Sequence, residues 1–352
     1  MSRYWSQTTK KIKPYVPGEQ PRDKKYVKLN TNENPYPPSP QVIEAIRSAA
    51  DESLRLYPDP TCDGLCKTLE QYFGLESGQV FCGNGSDELL AFAFPAFFNP
   101  GRPILFPDIT YSFYPVYSTL FNIDYDLIPL DKEFKISPDK FFRENGGIII
   151  SNPNAPTGNC LPLQSVRAIL EQNPGSVVIL DEAYIDFGGE SAVGLIREFP
   201  NLLVVQTLSK SRCLAGLRVG FAMGQQDLIE GLRRVKDSMN SYTLDRLALA
   251  GAVAAIKDDA YFRQITAKVI ETRERVAAAL SAAGFSVIPS KANFLFITHP
   301  RARAADLYQQ LRERGVLVRY FNLPRIDNYL RVSIGTDAEM DIFLNSISEI
   351  VP

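Results

Sequence analysis

The chain reads as an α/β protein: a large, mostly parallel sheet wound by helices, with a smaller α+β unit after it. Three observations predict this. Short, fully apolar runs at residues 148–150, 177–180 and 202–205 have the character of strands buried on both faces. Stretches of helical period stand between them, the alternation of a doubly wound sheet. Beyond Gly224 the order changes to long helices followed by short strands. A length of 352 residues accommodates two such units. The expected division is an arm over 1–40 that packs with the small unit, a large unit over 41–240 and the small unit over 241–352.

Residues 1–40 are rich in Pro, Lys and Tyr and lack periodicity, so they read as an extended arm. Residues 41–50 put Val42, Ile43, Ala45, Ile46 and Ala49 on one side of a helix. A proline-punctuated loop over 56–60 precedes a helix over 65–73, closed by Gly74. A strand over 80–82 enters Gly83-Asn84-Gly85-Ser86-Asp87-Glu88, and an apolar helix over 89–97 follows. Strand, glycine turn and helix start together aim backbone N–H groups at a phosphate. The turn is neither a Walker loop nor G-x-G-x-x-G, and a plain N-cap at Ser86 or Asp87 is the structural alternative.

The next strand spans 103–106, and a helix over 111–120 opens with aromatic residues. The strand at 148–150 runs into the turn Ser151-Asn152-Pro153-Asn154-Ala155-Pro156-Thr157-Gly158, and a helix follows over 163–171. The strand at 177–180 ends in Asp181-Glu182-Ala183-Tyr184. The strand at 202–205 leads into the loop TLSKSRCLAGLRVGF. Helices are expected over 227–239 and 246–280, the second broken near Asp258. Strands over 293–297, 316–319 and 329–334, a helix over 304–313 and a C-terminal helix complete the chain. Every polar cluster named here sits at the C-terminal end of a strand, where open α/β sheets bind ligands.

Composition narrows the chemistry. A net charge of -2 gives no field for nucleic acid or an anionic membrane. No apolar run is long enough to span a bilayer, and the first residues show no signal-peptide pattern. Five scattered cysteines argue against a disulfide framework and for a reducing, cytoplasmic setting. Cys62 and Cys66 have no second pair nearby, so no metal is expected. The one histidine, His299, lies in an apparent turn, which weakens Ser-His and Cys-His mechanisms.

A lysine-centred mechanism gains from this. Lys210 stands just past a buried strand, where partial burial and a nearby cation favour the nucleophilic free amine. Thr207, Ser209 and Arg218 are suited to one phosphate, as are Ser86 and Asp87. Asp181 is placed to hold a protonated pyridine nitrogen. Tyr184 and Asn154 can donate to a phenolate, and Tyr111 can stack on a flat ring. Alone, Lys210 is a solvated turn residue, Asp181 a helix cap and the tyrosines core aromatics. Together they match one ligand, pyridoxal 5'-phosphate, with Lys210 as the Schiff-base lysine.

The chain resembles the fold-type I aminotransferases, and within them the histidinol-phosphate aminotransferase family. The matching segments are Asn30-x-Asn32-Glu33-Asn34-Pro35-Tyr36, Tyr57-Pro58-Asp59, the Gly83–Glu88 turn, Asn152-Pro153-Asn154-x-Pro156-Thr157-Gly158, Asp181-Glu182-Ala183-Tyr184, Thr207-Leu208-Ser209-Lys210, Leu214-Ala215-Gly216-Leu217-Arg218 and Leu330-Arg331-Val332-Ser333-Ile334-Gly335. Many relatives carry Asn immediately before Pro-Thr-Gly, where this chain has Ala155. The resemblance implies transamination between L-histidinol phosphate and 2-oxoglutarate in histidine biosynthesis, with Lys210, Asp181 and Tyr184 as catalytic residues. It implies Arg331 for the substrate α-carboxylate, and Arg319, Tyr36, Tyr242 and Asn34 as further substrate contacts. It also implies that Tyr57 reaches the cofactor phosphate of a neighbouring subunit, making a homodimer. Competing readings are an aromatic amino acid aminotransferase, a pyridoxal-phosphate decarboxylase of a phosphorylated amino acid, and the aminotransferase-like domain of a transcription regulator.

Overall fold

The computed structural model describes residues 2–351. Helix α1 (Gln7–Lys11), strand β1 (Val27–Lys28) and helix α2 (Pro40–Ala49) open the chain. Next come α3 (Asp63–Phe73), β2 (Val80–Asn84), α4 (Gly85–Phe97), β3 (Ile104–Pro107), α5 (Phe113–Phe121) and β4 (Tyr125–Ile128). Then follow β5 (Ile148–Ser151), α6 (Leu163–Gln172), β6 (Val178–Asp181), β7 (Leu202–Thr207) and β8 (Val219–Gly224). Helices α7 (Gln226–Met239), α8 (Arg246–Lys257) and α9 (Asp259–Ala282) come next. The last part holds β9 (Ser286–Ile288), β10 (Phe294–Thr298), α10 (Ala304–Glu313), β11 (Val316–Leu317), β12 (Arg319–Tyr320), β13 (Leu330–Ser333) and α11 (Asp337–Ile350).

Seven strands form one sheet in the order β2-β8-β7-β6-β5-β3-β4. All run parallel except β8, which is antiparallel to both its neighbours. The central strands are apolar at successive positions because helices cover both faces of the sheet. Ile148, Ile150, Val178, Leu180, Leu202 and Val204 enter one cluster with residues of α2, α3, α6 and α8. Ile149, Ile179, Leu203 and Val205 enter the opposite one with α4, α5 and α7. A second sheet, β12-β13-β10-β9, is antiparallel and packs with α9, α10 and α11 around Leu295, Ile297, Leu330 and Val332. The N-terminal segment joins this part of the molecule: β1 pairs in parallel with β11, and Leu29 is buried in the same cluster. Among the described residues no helix is long and apolar enough to cross a membrane.

The α/β class expected from the sequence is the class observed. Four details differ from expectation. The N-terminal segment is not wholly extended, since it holds α1 and β1. Helix α4 begins at Gly85, so Ser86 and Asp87 lie inside its first turn rather than capping it. The stretch 316–319 divides into two strands that join different sheets. Strands β4, β8 and β9 were not foreseen. For β8 the cause is its glycines, which read as loop. Gly220 is required there by close approach, since a Cβ would meet the carbonyl carbon of Gly85 and the nitrogen of Ser86 at 2.5 Å.

That contact generates a stability prediction. Gly220→Ala must separate β8 from the start of α4, backbone against backbone. It should cost roughly 1–3 kcal/mol, as overpacking does. Gly216→Ala meets nothing within 4 Å and should be near neutral. Urea unfolding of both variants checks this, and equal midpoints would refute the close-approach account.

Candidate active site

The six parallel strands finish on one edge of the large sheet. Because β8 runs the other way, its start lies on that same edge, and Arg218 arrives there just ahead of it. A cavity of about 190 Å³ opens at this edge. Its large-sheet wall includes Ser86, Asp87, Tyr111, Asp181, Tyr184, Thr207, Ser209, Lys210 and Arg218. Arg319 and Arg331 come from the small sheet, and Tyr15, Asn30, Thr31 and Asn32 from the N-terminal segment.

One corner has the donors and the space that suit a phosphate. Gly85 has φ 75°, a backbone that favours glycine, and a Cβ there would lie 2.5 Å from Arg218 Nη2 and push the guanidinium aside. The N-cap of α4, Asn84, makes no side-chain cap bond, so the first N–H groups of the helix are not capped by it. Thr207 Oγ1 and Ser209 Oγ lie 2.9 Å apart beside them. Arg218 Nη2 contacts Asp87 Oδ2 at 3.1 Å, and Tyr111 donates to Asp87 Oδ1 at 2.7 Å.

Asp181 closes β6 and is buried. Its Oδ2 accepts from the Tyr114 hydroxyl at 3.0 Å and its Oδ1 from the Ala183 N–H at 3.2 Å. Both donors are neutral, and burial pushes the carboxyl up to about 6, with the Tyr114 bond opposing. Its neighbour Glu182 turns away, accepting from Ser191 Oγ at 2.6 Å, the Ala192 N–H at 2.8 Å and Gln206 Nε2 at 2.9 Å. These bonds tie the end of β6 to β7.

Lys210 Nζ lies 3.4 Å from the carbonyl oxygen of Thr31 and 5.8 Å from the Tyr184 ring centre. Desolvation first, and the Arg331 charge second, push its amine down to about 8. Arg331 donates to the carbonyl of Asn30 at 2.9 Å, while its Nε is buried without a partner. It joins no ion pair among the described residues, and burial holds it below the ordinary arginine range. A half-buried guanidinium that lines a cavity with no ion-pair partner among the described residues is suited to a carboxylate. Arg319 donates to the carbonyls of Val16 at 3.0 Å and Pro17 at 3.3 Å, fastening the N-terminal segment across the cavity.

Five expected site residues do not line this cavity. Asn154 donates to the Ile109 carbonyl and to Thr157 Oγ1, both at 3.0 Å, so both amide hydrogens are committed, one to the segment after β3 and one within the loop. Ala155 reaches the cavity in its place. Asn34 donates to the backbone carbonyl of Lys210 at 2.9 Å, holding the lysine loop. Tyr36 packs on the small-sheet cluster, with Lys268 Nζ 5.4 Å from its ring centre. Tyr57 and Tyr242 stack on each other at 4.5 Å, both exposed. Sequence reasoning gave no site role to Tyr15, Thr31 or Tyr114, nor to Asn32 by number. Tyr114 had a signal, since it lies three residues beyond Tyr111 in the stretch 111–120 that reads as helical from sequence. His299 is buried beside Phe285 in a turn bridged to Ala302.

The Asp181 environment has a consequence for stability. Its folded value, about 6, exceeds the ordinary 3.8. Its favourable contribution is therefore complete below about 3.8 and is lost as pH rises through about 6. Asp181→Asn in the cofactor-free protein should raise Tm at pH 8, by an amount worth at most about 2–3 kcal/mol. Near pH 4 the gain should vanish. Thermal scans at both pH values check this, and an equal gain at both would refute it.

The family model of aminotransferase class I and II matches residues 24–347. A histidinol-phosphate aminotransferase of Clostridium acetobutylicum is 60% identical over 351 residues, spanning 100% of both chains. One from Clostridium botulinum is 58% identical, spanning 100% of this chain and 99% of that one. Among solved structures, histidinol-phosphate aminotransferase from Sinorhizobium meliloti in complex with pyridoxal-5'-phosphate has a TM-score of 0.89 at 23% identity, over 100% of this chain and 98% of that one. L-threonine-O-3-phosphate decarboxylase from Porphyromonas gingivalis shares the fold with a TM-score of 0.79 at 20% identity, over 92% and 98%. The sheet order, the strand-edge cavity and the full-length likeness agree: the chain belongs to the aminotransferases of class I and II, and within them to the histidinol-phosphate aminotransferase family.

Proposed function

We propose that the protein is a pyridoxal phosphate-dependent aminotransferase that interconverts L-histidinol phosphate plus 2-oxoglutarate with imidazole-acetol phosphate plus L-glutamate, in L-histidine biosynthesis. The observation that carries the chemistry is Lys210, a half-buried lysine whose amine is held near 8, sharing one cavity with the buried Asp181 and the partnerless Nε of Arg331. The substrate follows from relatives about 60% identical over the full length.

The residues present fit the cofactor: a glycine-built cradle with Arg218 over it, a buried carboxyl and a depressed lysine. When bound, pyridoxal phosphate supplies an electrophilic carbonyl carbon and a ring that accepts the electron pair left at the substrate α-carbon. Ser86, Thr207, Ser209, Arg218 and the first N–H groups of α4 would hold the phosphate. Asp181 would keep a proton on the ring nitrogen, and Tyr111 would stack on the ring. Tyr184 would donate to the ring oxygen. Lys210 Nζ takes the proton from the substrate α-carbon, as a general base with a pKa near the working pH does. Arg331 forks onto the α-carboxylate. Arg319 is the candidate for the substrate phosphate, exchanging the carbonyls of Val16 and Pro17 for it.

The same proposal includes a homodimer. The exposed Tyr57–Tyr242 stack lies away from the cavity of its own chain, which supports a role for both in a neighbouring subunit. Five free cysteines support a reducing, cytoplasmic setting. The two sheets, each with its own core, support a division into a large unit over 41–240 and a small one over 241–352, with the 1–40 arm on the latter.

Two experiments test the reading. Borohydride treatment of the cofactor-loaded protein should label Lys210, and Lys210→Ala should lose both label and turnover while remaining folded. A label on Lys28 or Lys236 would overturn the assignment. Single-turnover rates separate the two arginines. Arg331→Ala should impair both half-reactions. Arg319→Ala should cost roughly 2–4 kcal/mol with histidinol phosphate, the scale of losing a charged hydrogen-bond partner, and far less with glutamate. Equal losses with phenylalanine and histidinol phosphate would favour an aromatic aminotransferase, and release of carbon dioxide from threonine phosphate would favour a decarboxylase.

A further inference from the structure

Asn32 is buried in the N-terminal segment with a left-handed backbone, φ 54°. Its Nδ2 donates to the Tyr184 hydroxyl oxygen at 3.0 Å. Its Oδ1 accepts from Ser333 Oγ at 2.8 Å, and its own N–H donates back to that Oγ at 2.8 Å. Asn293 Nδ2 donates to its carbonyl at 3.0 Å. Every polar group of Asn32 is therefore engaged.

The Ser333 hydroxyl decides which way the amide points. It has one proton, and it already accepts the Asn32 N–H. The proton goes to Oδ1, which leaves Nδ2 for Tyr184. A flipped amide would aim a second N–H at Ser333 and a carbonyl at Tyr184. An amide nitrogen only donates, so the Tyr184 oxygen is the acceptor in this contact. The phenol has one proton of its own, and it must point elsewhere. The Phe294 and Tyr184 rings meet edge to face, centres 5.1 Å apart, and Tyr184 lines the cavity.

We infer that Asn32 is a positioning residue: by donating to the Tyr184 oxygen it aims the Tyr184 phenol proton into the cavity, at the ring oxygen of the cofactor. Ser333 sets the direction of the relay. Two residues away on β13, Arg331 donates to Asn30, so the same clasp joins the carboxylate-binding residue to the phenol. The inference rests on the cofactor reading given above.

The test is the pH titration of the absorbance of the Lys210-bound cofactor, in the loaded protein without substrate. Asn32→Gly keeps the left-handed backbone and removes the amide. The ring oxygen then loses an oriented donor, its negative form is less favoured, and the apparent pKa of the chromophore should rise by about one unit. In a Tyr184→Phe background the same substitution should produce no further shift. Ser333→Ala should move the pKa in the same direction through Tyr184 alone, and it serves if Asn32→Gly does not fold. Equal shifts with and without Tyr184, or no shift in either variant, would overturn the inference. Failure of the wild type to form a Lys210 chromophore would overturn the cofactor reading and this inference together. A normal chromophore with an unmoved pKa would overturn this inference alone.

Discussion

Asp181, Lys210 and Arg331 face one cavity with their charges unmatched, and that condition shapes the rest of the molecule. Asp181 is held up by burial, Lys210 and Arg331 are held down by it, and none forms an ion pair among the described residues. A chain shaped for stability alone would pair such groups or replace them with apolar side chains. The offset comes from the two sheet faces beneath. Ile148 to Ile150, Val178 to Leu180 and Leu202 to Val205 are all essentially inaccessible, each strand feeding both clusters in alternation. These strands carry Asp181 at the end of β6 and lead directly into the Lys210 loop after β7.

The groups come from three places in the chain, and two devices bring them together. The first is the reversal of β8. A parallel strand there would have put Arg218 on the far edge, away from the turn after β2. The second is the N-terminal segment, which pairs with β11 and crosses to the large sheet through the Asn32–Tyr184 and Asn34–Lys210 contacts. Arg319 adds a third attachment through two carbonyls. These are individually modest hydrogen bonds, about 0.5–1.5 kcal/mol each. Their arrangement suits a segment that must be firmly placed yet able to surrender one contact to a ligand.

Lys210, Asp181 and the α4 turn were legible because they lie at the ends of apolar strands, and strand ends can be counted along a sequence. Strand β8 was not, because Gly220 and Gly224 carry a loop signature while serving close approach to other backbone. The placement of Asn154 was not legible for a different reason. Its amide nitrogen donates to Ile109, 45 positions away, and to Thr157. The clasp at Asn32 joins residues 301 positions apart, a pairing that no local pattern announces. Tyr57 and Tyr242 stand outside their own cavity, so one chain's strand order cannot assign them.

Asp87 appears misplaced, an anion beside a proposed phosphate site. The geometry resolves this. Its carboxylate turns to Arg218 on one side and to the Tyr111 hydroxyl on the other, and its carbonyl accepts from the Tyr117 hydroxyl at 2.9 Å. From the first turn of α4, Asp87 thus sets the Arg218 guanidinium and the Tyr111 hydroxyl in one register. The Arg218–Asp87 pair is partly exposed, side chains 44% and 38% accessible, so it is worth only about 0–1 kcal/mol. Its guanidinium has five donors, and a single contact to Asp87 leaves the others for a second anion. A weak pair at this point holds Arg218 in place without competing with a phosphate, which a strong buried pair would do.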